Sequence, residues 1–315
     1  MTSKISCLLP AYNAEQYVEE AVRSIISQTM ADWEMIIIND GSNDRTLEIA
    51  KALAQQDGRI RILDQENMGI VSALNEGLKL ANGKYIARMD ADDVSFPDRF
   101  RMQFEYLESN PNCVLVGGVA TSSQISNPSG ARGTGGRHRV TDLSIFPPKI
   151  AVSVHPLIMM RKDALTKIGG YRGTYLHAED YDLFIRISEH GSIINLPAVL
   201  LFYRRHDGAV SLKHLELQER SAANAELEAF QKVSARIVFP IAFEAYVNLR
   251  IWRRYTALQS PKTVSLISRG LSDMLRVRGR GVWSQPYARV RLLLAANVLR
   301  FLLTKVSAWR ESVSP

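Results

Sequence analysis

Three carboxylates stand within four residues in the segment Asp90-Ala91-Asp92-Asp93. Like charges at this spacing repel one another unless a cation lies among them. Carboxylate oxygens are the ligands that magnesium and manganese prefer, and such an ion is commonly shared with the phosphates of a substrate. A divalent ion also neutralises the charge that grows on a departing diphosphate. The alternative to a metal site is a solvated acidic turn that caps the helix expected near residues 96–99.

Two further acidic segments suit ligand binding or catalysis. In Asp40-Gly41-Ser42 the carboxylate could accept a hydrogen bond from a nucleotide base, although Asp-Gly-Ser is also ordinary turn chemistry. Glu179 and Asp180 open a predicted helix, and such a carboxylate could act as a general base toward an acceptor hydroxyl. The alternative is that these two side chains only stabilise the N-terminus of the helix through its dipole.

The apolar pattern of the first 90 residues predicts the framework that positions these groups. Short apolar runs alternate with segments whose apolar residues recur at helical spacing, which favours a parallel sheet covered by helices. Asn13 with Gln16 is predicted to form a capping box for the first helix, and Asp44 to cap the second. The strands are expected at about 5–10, 35–38, 60–63 and 84–89, with helices ending near residues 28, 56 and 81.

Polar residues follow three of these strands. Tyr12-Asn13 comes after the first strand, Asp40-Gly41-Ser42 after the second, and the acidic segment 90–93 after the fourth. In parallel sheets of this kind, ligands bind in the crevice at the carboxyl ends of the strands. We therefore expect the three clusters to line one crevice.

The rest of the chain predicts a second part of different character. Residues 122–139 are rich in Gly, Ser and Arg and have no apolar face, so we expect a mobile loop there. A short helix is expected at 162–168, a longer helix at 178–189 and strands within 193–203. After residue 213 the pattern is mostly helical. We therefore divide the chain into a catalytic domain, 1–212, and a C-terminal helical region, 213–315.

The basic charge of the protein lies in this C-terminal region. The net charge of +7 divides into −3 for residues 1–212 and +10 for residues 213–315. In residues 250–315, aromatic side chains stand among 13 basic and 2 acidic residues, a mixture that suits an anionic membrane surface. The alternative is that these helices pack on the catalytic domain or form a homo-oligomer contact. We expect no nucleic-acid partner.

Cysteine usage and hydropathy indicate the compartment. Cys7 and Cys113 each lie in a short apolar run, so we expect buried free thiols in a reducing setting. No apolar run reaches the roughly 18 residues that a spanning helix needs, and the first strand leaves no room for a secretory signal. We expect a cytoplasmic protein, with peripheral attachment to the inner face of the cell membrane as the further hypothesis.

The order and spacing of these motifs resemble the family 2 glycosyltransferases of bacterial polysaccharide assembly, which share the GT-A fold. The resemblance covers residues 4–211 and implies an α/β domain with a Rossmann-like, mostly parallel sheet and flanking helices. The matching stretches are Pro10-Ala11-Tyr12-Asn13, 38–44, Asn67-Met68-Gly69, Ala73-Leu74-Asn75, 83–87, 89–93, His155-Pro156, Gly169-Gly170-Tyr171, 178–183 and Tyr203-Arg204-Arg205-His206.

The resemblance also implies an activity and roles for matched residues. Such an enzyme moves a sugar from a nucleotide-diphosphate donor, usually a UDP-sugar, to a hydroxyl of a glycan or lipid-linked acceptor, and it inverts the anomeric centre. It implies Mn²⁺ or Mg²⁺ at Asp92 and Asp90, and Asp180 as catalytic base with Glu179 as the second choice. His155 and His206 are assigned to the acceptor or phosphate side, or else are ordinary histidines. The implied nucleotide pocket comprises Pro10, Ala11, Tyr12, Asn13, Asp40, Ser42, Asn67, Asp90 and Ala91.

Two other functions were weighed against this one. A sugar-nucleotide pyrophosphorylase would need a glycine-rich phosphate loop with a basic residue near the N-terminus, and residues 10–13 do not form one. A non-catalytic nucleotide-sugar-binding or membrane-adaptor protein would have a degenerate site. The intact acidic residues at 90–93 and 179–180 argue against that second alternative.

Overall fold

The structure is a computed structural model, and it describes residues 4–122, 138–139, 141–144, 150, 152–204, 214–234, 243, 246–247 and 250–251. Three sequence predictions fall largely outside these ranges. They concern the loop at 122–139, the histidine His206 and the basic segment 250–315. All three stay predictions.

The first part of the chain forms the predicted alternation of strands and helices. Strand β1 pairs in parallel with β2 and β4, and β2 pairs in parallel with β3, which gives the order β3-β2-β1-β4. The parallel half of the prediction is therefore confirmed. The elements are β1 (Ile5–Ala11), α1 (Val18–Ile26), β2 (Trp33–Asp40), α2 (Thr46–Gln56), β3 (Ile60–Gln65), α3 (Ile70–Leu80) and β4 (Tyr85–Arg88).

The strands β1, β2 and β4 are buried along almost their whole length because side chains pack on both faces of the sheet, whereas β3 lies at the edge and is partly exposed. Successive residues of a strand point to opposite faces. Cys7 and Leu9 belong to one buried cluster with Val22 of α1, whereas Leu8 lies in a second cluster with Leu74 of α3. Among the described residues both cysteines are free and buried, and burial raises the pKa of the Cys7 thiol to about 12.

The second part of the chain extends the sheet in a mixed rather than parallel manner. Strand β8 lies antiparallel between β4 and β6, β6 pairs in parallel with β9, and β5 and β7 pair antiparallel with β9. The predicted predominance of parallel pairs thus holds only up to β4. The elements are β5 (Val94–Ser95), α4 (Arg99–Ser109), β6 (Cys113–Thr121), β7 (His138–Arg139), a 3₁₀ turn (His155–Leu157), β8 (Met159–Arg161), α5 (Lys162–Lys167), α6 (Glu179–Ile187) and β9 (Ser192–Phe202).

Neither predicted cap is found: no side chain caps the N-terminus of α1 or of α2, and the N-cap residue of α2 is Arg45 rather than Asp44. Helix α1 begins at Val18, and no side chain caps its N-terminus. Asn13 instead has a positive φ of 48°, and its Oδ1 accepts a hydrogen bond from the N–H of Asn43 at 2.9 Å. At α2, the carboxylate of Asp44 accepts from the N–H of Thr46 at 3.0 Å.

The chain divides into two compact units. The first comprises Met1–Thr141, Ile150–Thr174 and Glu179–Ala209, and the second comprises Asp142–Lys149, Tyr175–Ala178 and Val210–Pro315. Within the second unit, the described residues include the helix α7 (Leu215–Ser234), and Arg250 forms ion pairs with its Glu219 and Glu226 at 2.8 and 2.6 Å. None of the helices in the described part of the chain is long and apolar enough to span a membrane.

Candidate active site

The loops after β1 and β2 are held together by hydrogen bonds at one edge of the sheet. The N–H of Asn13 donates to Oγ of Ser42 at 3.0 Å, and Asn43 donates back to the side chain of Asn13. The strand ends of β1 and β2 are neighbours because the strands are parallel and in register. The ring of Tyr12 stays 50% exposed beside them, whereas Ala11 is buried. The structure thus brings together two of the three polar clusters predicted to line the crevice.

The carboxylate of Asp40 accepts three hydrogen bonds from the protein itself, which the sequence did not predict. Its Oδ1 accepts from the side-chain amide of Gln65 at 2.7 Å and from the N–H of Met68 at 2.9 Å, and its Oδ2 accepts from the N–H of Gly69 at 2.9 Å. The carboxylate therefore orders the loop that follows β3. Each oxygen of a carboxylate can accept two hydrogen bonds, so Oδ2 keeps acceptor capacity for a ligand.

A glycine lets the loop after β3 approach the loop after β2. Gly41 has a φ of +69°, which a residue with a side chain rarely adopts. A Cβ at Gly41 would lie 2.6 Å from the backbone nitrogen of Asn67. Asn67, which was assigned to the nucleotide pocket, is thereby placed against the Asp40 loop. Glycine is required at this position for reasons of both φ and space.

The three carboxylates that follow β4 converge. Asp90, Asp92 and Asp93 each offer an oxygen, and these oxygens all lie within 4.8 Å of one another. Asp93 is only 1% exposed, and its Oδ2 is a buried oxygen that has no hydrogen-bond partner in the described part of the chain. Helix α4 begins at Arg99 after Asp98, so the acidic segment does not cap it. The alternative of a solvated capping turn is therefore not what the structure shows.

The environment of this acidic triad fits a divalent cation. Burial, followed by the charge of Asp90, raises the pKa of Asp93 to about 8. Burial also raises the pKa of Asp90, with the nearby charge of Asp92 adding to the effect. Carboxyl groups crowded in this way release their protons readily only when positive charge is supplied. The donor set consists of hard oxygens, which suits Mg²⁺ or Mn²⁺.

Arg88 supplies part of that positive charge, and sequence reasoning missed it. The residue ends β4, is 3% exposed and forms an ion pair with Asp90. Its Nη1 is the atom that pairs with Asp90, whereas its Nε is buried without a hydrogen-bond acceptor among the described residues. A signal was present in the sequence, because a basic residue stands in an apolar strand directly before the acidic segment. Arg88 is therefore a buried positive charge in direct contact with the triad.

The two base candidates lie at the start of α6, within electrostatic reach of the triad. Burial, followed by the charge of Asp180, raises the pKa of Glu179 to about 7. Burial also raises the pKa of Asp180, whose Oδ1 accepts from the N–H of Tyr181 at 2.7 Å. Arg88 lowers and Asp90 raises the pKa of both carboxyls, so the two clusters influence each other.

An ion-pair network fixes the helix that carries these candidates. Asp182, which is 1% exposed, pairs with Arg172 and with Arg186. Arg186 also donates to the carbonyls of Ile168 and Gly170 at 2.7 and 2.9 Å. The third acidic residue of the 178–183 motif therefore ties α6 to the glycine loop before Tyr171. Sequence reasoning gave Asp182 no role.

His155 is buried against Tyr171 rather than exposed to solvent. It is 8% exposed, and its Nε2 is 3.0 Å from the hydroxyl of Tyr171. Burial, aided by the charge of Arg88, lowers the pKa of His155 well below its usual value, so the ring is neutral. Asn75 fixes the backbone of Tyr171 with two hydrogen bonds of 2.9 Å. His206 lies outside the described residues.

The sequence matches the family described as glycosyl transferase family 2 over residues 6–169. A Haemophilus influenzae protein described as an uncharacterized glycosyltransferase is 31% identical over 236 residues, covering 71% of this chain and 72% of that protein. The chondroitin synthase of Pasteurella multocida is 30% identical over 252 residues, which are 80% of this chain but 25% of the synthase. The O-antigen biosynthesis glycosyltransferase WbnJ of Escherichia coli is 31% identical over 72% of this chain and 89% of its own.

Solved structures share the fold at low sequence identity. Staphylococcus aureus TarS 1-349 in complex with UDP-GlcNAc has a TM-score of 0.57 at 15% identity, covering 86% of this chain and 89% of that chain. The mannosyltransferase PcManGT from Pyrobaculum calidifontis, in complex with GDP-Man and Mn²⁺, has a TM-score of 0.57 at 17% identity, covering 95% and 88%.

The fold and the matches together define the class of protein. A parallel half-sheet with polar strand ends, joined to a mixed half, is the GT-A fold of glycosyltransferases. The matches in sequence extend over more than half of the chain and include enzymes of polysaccharide synthesis. The chain belongs to glycosyltransferase family 2.

Proposed function

We propose that this protein is an inverting, metal-dependent transferase that moves a sugar from a UDP-sugar to a hydroxyl of a glycan or lipid-linked acceptor in cell-surface polysaccharide biosynthesis. The observation that carries the proposal is that the converging carboxylates of the 90–93 segment and those of Glu179 and Asp180 lie within electrostatic reach of the same buried Arg88. The relatives named for chondroitin and O-antigen synthesis support the polysaccharide class. The solved neighbours with UDP-GlcNAc and with GDP-Man and Mn²⁺ support a nucleotide-sugar donor and a metal.

The sugar donor is proposed to bind at the sheet edge where the three polar clusters follow β1, β2 and β4. The exposed ring of Tyr12 offers a face for the nucleotide base, and Oδ2 of Asp40 accepts an N–H of that base. Asp92 and Asp90 would hold Mn²⁺ or Mg²⁺, and a bound ion supplies positive charge to the diphosphate leaving group. The residues Pro10, Ala11, Asn13, Ser42, Asn67 and Ala91 complete the proposed pocket.

The acceptor side uses the carboxylates at the start of α6. Asp180 takes the proton from the acceptor hydroxyl, whose oxygen forms a bond to the anomeric carbon. The bond from that carbon to the diphosphate breaks, and the diphosphate leaves with the electron pair. Attack from the face opposite to the leaving group inverts the configuration. Glu179, whose pKa of about 7 suits a general base, is the alternative proton acceptor.

The basic C-terminal segment supports a reaction at the cytoplasmic face of the membrane. Residues 250–315 carry 13 basic and 2 acidic residues, and their contact with anionic lipid would bring the crevice to a lipid-linked acceptor on the cytoplasmic side. The competing role for this segment is protein packing or a homo-oligomer contact. A non-catalytic binding protein is disfavoured because the triad and both base candidates are retained.

A panel of nucleotides tests the donor and the metal together. We expect UDP with Mn²⁺ to raise the melting temperature of the full chain more than GDP or dTDP, because a ligand bound only to the folded state stabilises it. UMP lacks the second phosphate and should show little dependence on Mn²⁺. A larger shift with GDP or dTDP would replace the uridine assignment, and no shift with any nucleotide would contradict the proposed function.

A further inference from the structure

Arg204 lies two residues beyond the end of β9 and forms hydrogen bonds with two residues of the acidic triad. Its backbone N–H donates to Oδ1 of Asp93 at 2.9 Å, and its Nε donates to the backbone carbonyl of Asp92 at 2.8 Å. The same guanidinium forms an ion pair with Glu20 of α1. It also lies 5.0 Å from the centroid of the Tyr17 ring. One side chain therefore joins the triad to helix α1, which is distant from it in sequence.

These contacts act on the backbone of the residue proposed to hold the metal. The segment 90–93 links β4 to the two-residue strand β5, whose Val94 pairs with Phe202 of β9. The pairing of β5 with β9 holds the C-terminal end of the segment 90–93. Arg204 holds the segment itself, through the carbonyl of Asp92. A guanidinium suits this position, because its planar set of donors can serve a carbonyl and a carboxylate at once.

We propose that Arg204 is a positioning residue for the divalent ion, holding the backbone of Asp92 so that the carboxylates of the triad converge on one point. It acts through the backbone of Asp92. The inference rests on the proposed metal site. Groups that orient metal ligands typically contribute about 10–100-fold to metal affinity or activity, and we place Arg204 at the lower end of that range because its contact is to the backbone.

The experiment measures Mn²⁺ affinity of the full chain by the electron paramagnetic resonance signal of free Mn²⁺, with saturating UDP present. Arg204→Gln removes both side-chain contacts and should weaken binding about 10-fold. Glu20→Gln keeps the bond to the Asp92 carbonyl, so its loss should be about threefold. Arg23→Gln is the matched control, since Arg23 pairs on the same helix with Glu19 at 2.8 Å and has no contact with the triad.

The variants separate this inference from the proposed function. Wild-type protein that binds no Mn²⁺, or Asp92→Ala that binds it fully, would overturn the metal site itself. Normal binding by wild type, loss in Asp92→Ala and unchanged affinity in Arg204→Gln would overturn the role of Arg204 alone. If Arg204→Gln does not fold, judged by its melting temperature, Glu20→Gln decides, because Glu20 is 61% exposed in its side chain. An affinity in Glu20→Gln equal to that of Arg23→Gln would then overturn the inference.

Discussion

Replacing Glu179 by Gln should stabilise the protein at alkaline pH while leaving its stability at acid pH unchanged. The carboxyl of Glu179 is placed where burial and the charge of Asp180 disfavour its ionised form, which raises its pKa from 4.5 to about 7. A side chain held in this way destabilises the fold at neutral pH, and strongly perturbed pKa values of this kind are typical of functional sites. The substitution keeps the shape of the side chain and removes the charge.

The magnitude follows from the difference between the two pKa values. Below pH 4.5 the carboxyl is protonated in both the folded and the unfolded chain. Between pH 4.5 and 7 the unfolded chain releases the proton and the folded protein retains it, so the free energy of unfolding falls as pH rises. A pKa difference from 4.5 to about 7 corresponds to a loss of up to about 3 kcal/mol above pH 7. Glu179→Gln should recover most of that loss.

The assay is urea unfolding of wild type and Glu179→Gln at pH 4.5 and pH 8, followed by circular dichroism in the presence of a chelator. The difference between the two proteins should grow by about 2–3 kcal/mol from the lower to the higher pH. Glu189→Gln, at an exposed position in the turn after α6, serves as the control and should show no such growth. A constant difference between Glu179→Gln and wild type would refute the raised pKa.

Three other outcomes are expected. Asp180→Asn should lower kcat by about 10²–10⁴-fold while donor binding survives, and the same loss in Glu179→Gln instead would reverse the assignment of the base. Asp182→Asn should lower the free energy of unfolding by about 3 kcal/mol in urea, because it leaves two arginines without their buried partner; a change near zero would contradict the network. Flotation with anionic liposomes should be salt-sensitive and lost on deletion of residues 250–315, and equal flotation of the truncated chain would leave the segment a packing role.

The parallel half of the fold was predictable because its signals are local. The strands β1, β2 and β4 are largely buried short runs, and the edge strand β3 begins with the apolar run 60–63, while each helix between them shows apolar residues at helical spacing. The mixed half was not predictable, because β8 inserts between β4 and β6 without any local mark of that neighbour. The capping box failed because Asn13 adopts a positive φ and bonds to Asn43 across the crevice.

The acidic side of the site was visible in the sequence, whereas the contact of Arg204 with it was not. Three carboxylates in four residues are a local signal, and their convergence followed from the position of the segment at a strand end. Arg204 reaches the triad across 112 residues of sequence, so only the folded chain shows the contact. The sequence predicted that Asp40 binds a ligand. It did not predict the hydrogen bonds from the backbone of Met68 and Gly69, because the path of the loop after β3 has no local sequence signal.

The most direct test of metal-dependent sugar transfer is the release of UDP from a panel of UDP-sugars in Mn²⁺, by wild type, Asp92→Ala and Glu105→Gln. Glu105 lies at an exposed position of α4 and serves as the acidic control. We predict that wild type and Glu105→Gln release UDP, that excess chelator stops both, and that Asp92→Ala is inactive with an unchanged melting temperature. Full release by Asp92→Ala, or by wild type in excess chelator, would contradict the proposed mechanism.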